Sequence, residues 1–349
     1  MRISSFIFLS LALLFLAGSC YAQAPSSARY TLVIHGGAGT ITRANMKPET
    51  EKAYLTSLQK ALELGENMLA SGRTALDVVE SVVRMLEDDS LFNAGKGAVY
   101  THSGEHELDA AIMNGKNLLA GSVAGVKTIR NPITAARAVM EHSEHVMLSG
   151  RGAEEFAKKM GLELVDNSYF HTESRRKGLQ RALEAEQKQL EQKQFPAAGN
   201  PAKRNDWKYG TVGAVALDTY GALAAATSTG GMTNKKYGRI GDAPLIGSGT
   251  YADSLVAVSC TGWGEYFIRM VMAKSLADRI RFGNQTIDAA GDELINTLLP
   301  AMGGDGGLIA VDRSGTPIMP FCTEGMYRGF IRKEAGTVQI ERQVAIYKN

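Results

Sequence analysis

Gly210-Thr211-Val212-Gly213-Ala214-Val215-Ala216-Leu217 is the stretch that decides how this 349-residue chain is read. Its apolar run has the length of a strand and stops at Asp218-Thr219-Tyr220-Gly221, a tight-turn composition, before a second apolar run over 222–227. A buried hairpin is the expectation. What precedes it is opposite in character. Residues 172–190 are helix-prone but polar, and 192–208 lose periodicity and collect Pro196, Gly199, Asn200 and Pro201. This predicts a solvated helix fading into a mobile linker, together about 173–210. A threonine at such a seam has two readings. It is an ordinary strand start, since Thr favours strands, or a nucleophile uncovered when the exposed segment is cut.

Upstream, Tyr30-Thr31-Leu32-Val33-Ile34 predicts a strand entering a glycine loop, His35-Gly36-Gly37-Ala38-Gly39. Apolar residues at helical spacing predict helices over 47–70, with Pro48 in the first turn, and over 75–86, capped by Thr74. Strands follow over 108–113 and 122–128, then a helix over 132–140. Downstream of the seam a strand is expected over 256–260, helices over 266–279 and 287–299, and a hairpin of 308–311 with 317–321. Strands in pairs and helices in pairs point to the α+β class, antiparallel sheet covered by helices.

The bulk properties narrow the function. Arg2, an apolar run over 6–17 and the small residues after it form the pattern of a secretory signal. The run is too short to span a membrane, which takes about 20 residues. Cleavage after Ala22 is expected, giving a signal at 1–22 and one mature domain at 23–349, periplasmic or secreted; a lipid on Cys20 is the competing reading. A net charge of +2 without a basic, aromatic-laced patch argues against nucleic acid as a partner. Cys260 and Cys322 lie in apolar runs and read as small buried hydrophobes, although an exported protein could pair them.

Several chemistries compete for the remaining motifs. The glycine loop at His35 lacks the spacing of a phosphate cradle. As an oxyanion element of an esterase it would need a serine elbow followed by a histidine. Thr227-Ser228-Thr229-Gly230 resembles such an elbow, but all six histidines, His35, His102, His106, His142, His145 and His171, precede it. His102 and His106 are four apart, yet Ser103-Gly104 between them argues for a loop, and structural or surface roles are expected. A hydroxyl nucleophile without a histidine needs another base. A threonine made N-terminal by cleavage supplies its own α-amino group, with a pKa of about 7.7 to 8.0.

The segments 226–235, 238–244 and 259–265, with His35-Gly36-Gly37-Ala38-Gly39 and Phe92-Asn93-Ala94-Gly95, resemble the plant-type asparaginase and isoaspartyl peptidase family of N-terminal-nucleophile hydrolases. These motifs lie in order over nearly the whole mature chain. The resemblance implies a four-layer αββα sandwich and autocleavage between Gly210 and Thr211 into fragments 23–210 and 211–349. It implies a β-aspartyl-enzyme ester in the hydrolysis of L-asparagine and β-aspartyl dipeptides, and assembly as a dimer of two-fragment units, a heterotetramer. By the same resemblance Thr211 is the nucleophile, Thr229 its neighbour, and Thr261 and Gly262 the oxyanion hole. Arg239 and Asp242 grip the substrate's α-carboxylate and α-amino group, and Gly264 and Asn93 lie at the substrate. No cofactor is required. A structural sodium ion is implied on main-chain carbonyls of Leu86, Glu87, Asp89, Phe92, Ala94 and Lys96. Competing functions are glycosylasparaginase-like hydrolysis, against which Gly210 in place of Asp counts, and a non-cleaving amino-acid-binding protein.

Overall fold

The computed structural model describes residues 28–191 and 210–348; the signal at 1–22 and the linker over 192–209 lie outside the described residues. In chain order the strands are β1 (Tyr30–Gly39), β2 (Leu108–Asn114), β3 (Ala120–Val126), β4 (Met147–Ser149), β5 (Val212–Leu217), β6 (Leu223–Thr229), β7 (Thr250–Ala252), β8 (Val256–Gly262), β9 (Gly306–Asp312), β10 (Pro317–Ile318), β11 (Gly325–Lys333) and β12 (Ile340–Tyr347). The α-helices of six residues or more are α1 (Pro48–Ala70), α2 (Ala75–Glu87), α3 (Pro132–His142), α4 (Gly150–Lys159), α5 (Glu173–Glu191), α6 (Gly264–Met270), α7 (Met272–Arg281) and α8 (Ile287–Asp292).

Eight strands form one sheet in the order β12-β11-β1-β5-β6-β2-β3-β4, and four form a second in the order β10-β9-β8-β7. Helices α1 to α4 cover the outer face of the large sheet, and α7 and α8 that of the small one. Strands β1, β5 and β6 pack on β7, β8 and β9. Three apolar clusters fill the spaces between successive layers: one between α1 to α3 and the large sheet, one between the sheets, and one beneath α6 to α8. This is the αββα sandwich. It explains why β1, β5 and β6 are buried at every position, since both faces of these strands are covered.

Local rules account for the element boundaries. Pro48 occupies the first turn of α1, and Thr74 accepts from the Asp77 N–H to cap α2. The β5-β6 turn is closed by Asp218, whose Oδ1 accepts from the N–H groups of Tyr220 and Ala222, both at 2.9 Å. Gly221 there has φ 81°. The seam is thus a strand start in which both sides share one sheet: Val215 pairs with Val33 from upstream of Thr211 and with Ala225 from downstream.

Four expectations need correction. The glycine segment is no loop: β1 runs through to Gly39, with an irregularity between His35 and Gly37. The helix expected over 266–279 begins at Gly264 and breaks at Val271, which adopts φ 46°. The break lets Ala273 and Lys274 donate their N–H groups to the Ser248 and Gly247 carbonyls. The run expected over 287–299 continues from α8 through a π-helical stretch, Glu293–Leu298. Finally, β11 and β12, which complete the large sheet beside β1, were not anticipated, nor were β4, α4 and β7. Cys260 is fully buried and Cys322 partly so, and both are free thiols.

Candidate active site

The site is built where β5 begins, at the edge of the space between the sheets. Thr211 precedes β5, and Thr229 ends β6. Antiparallel pairing sets Val212 opposite Ser228, which brings the two threonines side by side. Thr211 Oγ1 lies 3.2 Å from Thr229 Oγ1. Three donors converge on the Gly210 carbonyl oxygen: Thr211 Oγ1 at 2.8 Å, Asn93 Nδ2 at 2.9 Å and Thr229 Oγ1 at 3.1 Å. Asn93 is held in turn by donating to the Gly231 carbonyl at 2.7 Å and accepting from the Val99 N–H at 2.9 Å. The Gly231 N–H donates to Thr229 Oγ1 at 3.0 Å.

Glycine is required at the seam by close approach. A Cβ on Gly210 would stand 2.8 Å from the Asn93 Cβ. One on Gly37, at φ 113°, would stand 2.9 Å from the Gly210 Cα and 3.3 Å from the Thr211 nitrogen. The irregular end of β1 therefore presses directly on the bond before Thr211.

On the small-sheet side, Thr261 and Gly262 end β8. Thr261 Oγ1 accepts from the Ala38 N–H at 3.3 Å, which ties it to the residue after Gly37. Arg239 and Asp242 lie in the loop before β7. Arg239 makes a bidentate pair with Glu265, Nε to Oε1 at 3.0 Å and Nη2 to Oε2 at 2.9 Å. Burial would lower its pKa, but the Glu265 pair and the charges of Asp242 and Asp109 outweigh that and raise it. Asp242 is buried, its Oδ2 has no hydrogen-bond partner, and burial pushes its pKa up to about 7. Gly264 makes room for both: a Cβ there would be 2.8 Å from Arg239 Nη2 and from Asp242 Oδ1. A cavity of about 300 Å³ lined by Glu107, Lys235, Lys236 and Gly238 opens next to this loop. A larger one of about 640 Å³, between α1 and residues 88–96, contains none of the site threonines.

The other candidates are placed elsewhere. Ser228 faces the helical layer, donating to Glu87 Oε1 at 2.6 Å, so it presents no elbow. His102 is exposed and bonds Asn234, whereas His106 is buried against Tyr100, so the two do not converge. No cluster of three or more His, Cys, Asp or Glu able to hold a metal occurs among the described residues. The loop after α2 curls tightly. A Cβ on Gly95, at φ 47°, would lie 2.3 Å from the Glu87 carbonyl oxygen, and one on Gly97 would lie 2.0 Å from that of Phe92. The Glu87 and Phe92 carbonyl oxygens thus lie against the glycines of this loop, while those of Leu86, Asp89 and Ala94 accept from the N–H groups of Asp89, Phe92 and Gly97.

Two residues at the site had been assigned no role from sequence. Glu265 lies in the same motif as Thr261, but nothing in its type foretells a pair with Arg239. His35 bonds the Thr211 carbonyl oxygen through Nδ1 at 3.0 Å, and burial pushes its pKa down to about 3. Its place in the glycine motif was the one available signal.

The sequence model of the family described as Asparaginase matches residues 28–340. The chain is 50% identical over 300 residues to the isoaspartyl peptidase of Escherichia coli (strain K12), covering 86% of this chain and 92% of that one. It is 41% identical over 296 residues to the isoaspartyl peptidase/L-asparaginase of Xenopus laevis, covering 84% and 90%. It is 40% identical over 304 residues to the plant-type L-asparaginase of Pyrococcus furiosus, covering 86% and 96%. With the αββα sandwich and the threonine pair at the start of β5, these similarities lead to one conclusion: the chain belongs to the plant-type asparaginase and isoaspartyl peptidase family of N-terminal-nucleophile hydrolases.

Proposed function

We propose that this chain is an amidohydrolase that cuts itself before Thr211 and then hydrolyses β-aspartyl dipeptides and L-asparagine. The observation that carries the reading is the convergence of Thr211, Thr229 and Asn93 on the Gly210 carbonyl oxygen. In the first reaction Thr211 Oγ1 bonds to the Gly210 carbonyl carbon while Asn93 and Thr229 hold the developing oxyanion. The bond to the Thr211 nitrogen breaks, the hydroxyl proton ends on that nitrogen, and water opens the ester to a Gly210 carboxylate. Donors fixed on an oxyanion are each worth about a hundred- to a thousandfold in rate.

In the second reaction the freed α-amino group takes the Thr211 hydroxyl proton, and Oγ1 attacks the substrate's side-chain carbonyl. Thr261 Oγ1 and the Gly262 N–H stabilise the oxyanion. The amine or ammonia leaves with the proton, and water hydrolyses the β-aspartyl ester. Arg239 pairs with the substrate α-carboxylate and Asp242, as a carboxylate, with the α-ammonium, beside Gly264. A sodium ion on carbonyls of Leu86, Glu87, Asp89, Phe92, Ala94 and Lys96 would brace the loop that carries Asn93. The resemblance supports a dimer of two-fragment units, and the apolar run over 6–17 supports export.

Kinetics on three substrates test the reading. Turnover of a β-aspartyl dipeptide and of L-asparagine is expected. Turnover confined to a glycosylated asparagine, or binding of these amino acids without hydrolysis, would overturn it.

A further inference from the structure

Between the sheets runs a line of buried polar side chains that the reaction above does not use. His35 on β1, Ser259 on β8, Thr227 on β6 and Thr250 on β7 are all fully buried. His35 Nδ1 is 3.0 Å from the Thr211 carbonyl oxygen, and Nε2 is 2.9 Å from Ser259 Oγ. Ser259 Oγ is 2.7 Å from Thr227 Oγ1. Thr250 Oγ1 is 2.7 Å from Thr227 Oγ1 and 3.0 Å from the Ala243 carbonyl oxygen. The line begins on the main chain of the nucleophile and ends next to Asp242.

Its polarity is set by its first member. A carbonyl oxygen only accepts, so His35 Nδ1 carries the proton and donates to Thr211. The ring is neutral, so Nε2 accepts from the Ser259 hydroxyl. The Ser259 oxygen then takes the Thr227 hydroxyl proton, and the single Thr250 proton is shared between the Thr227 oxygen and the Ala243 carbonyl oxygen. Room for the line depends on β5: a Cβ on Gly213 would stand 2.0 Å from Ser259 Oγ and 2.3 Å from His35 Nε2. The bonded carbonyl belongs to the peptide joining Thr211 to Val212, so this hold survives a cut before Thr211. The hold of Asn93 on Gly210, in contrast, departs with the other fragment's end.

We propose that His35, Ser259, Thr227 and Thr250 form a positioning relay that fixes the main chain of Thr211 relative to the substrate-gripping loop at Asp242. The proposal rests on the reading of Thr211 as the nucleophile of a β-aspartyl hydrolase. All four are positioning residues, since none touches the reacting atoms. Buried hydroxyls in a chain polarise one another, so losing one link weakens its neighbours.

The test uses the full chain and the variants Thr227→Val, Ser259→Ala and their combination, with kcat and KM on a β-aspartyl dipeptide, the rate of cleavage before Thr211, and Tm. Each single variant should lower kcat by about ten- to a hundredfold, the scale of a misaimed nucleophile. KM should change little, the double variant should fall no further than the worse single one, and Thr227→Ser should restore activity. Variants that lower Tm yet keep wild-type kcat and cleavage rate would reduce the line to packing and sink the relay alone. A wild-type chain that neither cuts itself nor hydrolyses the dipeptide would instead sink the reading beneath it.

Discussion

Two segments flank the seam of this molecule, and they differ in nearly everything that holds a chain in place. Helix α5 comes before it and buries Ala182 alone; its last exposed apolar residue, Leu190, is half in solvent. Strand β5 follows it and is buried at every position, paired to β1 on one side and β6 on the other. On the proposed reading, the nucleophile at the start of β5 inherits the rigidity of the sandwich. The proposed cut before Thr211 would leave the pairing of β5 with β1 and β6 in place. It would create an amine on a residue whose carbonyl and hydroxyl are already hydrogen-bonded.

The contrast can be broken at the bond itself. Asn93→Ala removes a donor from the Gly210 carbonyl, and cleavage followed by gel densitometry should slow by about a hundred- to a thousandfold. Unchanged cleavage would mean that the geometry at Gly210 does not drive it. Next in size is the difference in anchoring. Val215→Ala in β5 should cost roughly 1.5–3 kcal/mol in denaturant unfolding, through lost burial and the cavity left behind. Its counterpart, Leu190→Ala in α5, should stay within about 0.5 kcal/mol; equal costs would erase the comparison.

Between these two in size lies a pH effect in the buried half. Asp242 is charged only above about 7, because burial disfavours its carboxylate. Substrate grip should strengthen as pH rises through that value, with kcat/KM falling below it by about tenfold per unit beyond the loss that protonation of the Thr211 amine brings. Stability moves the other way. The folded form keeps the Asp242 proton up to about 7 and an ordinary Asp releases it near 3.8, so unfolding free energy declines as pH rises across that window. Asp242→Asn should remove that slope, and a pH titration of the melting temperature checks it.

Much of this was legible before any coordinates. The strand pattern after Thr211, the polar stretch before it and the absence of a histidine downstream pointed to the seam. The contiguous motifs carried Thr229, Arg239, Asp242 and Thr261. What was not legible depends on contacts between distant parts of the chain. His35 and Ser259 meet across 224 residues, and Arg239 finds Glu265 only when the loop before β7 folds over α6. The break at Val271 has no local sign, because a β-branched residue at positive φ is imposed by the carbonyls of Gly247 and Ser248. Strand β11 escaped notice because Gly325, Arg328, Gly329 and Arg332 interrupt its apolar pattern, although its neighbours in the sheet bury most of it.

The central claim is that the chain becomes active by exposing Thr211 as a new N-terminus. Intact mass and N-terminal sequencing of the purified protein test it most directly. Two fragments are predicted, the second running from Thr211 to Asn349, and Thr211→Ala should remain one inactive chain. A full-length chain that hydrolyses the β-aspartyl dipeptide, or a cut at another bond, would contradict the account.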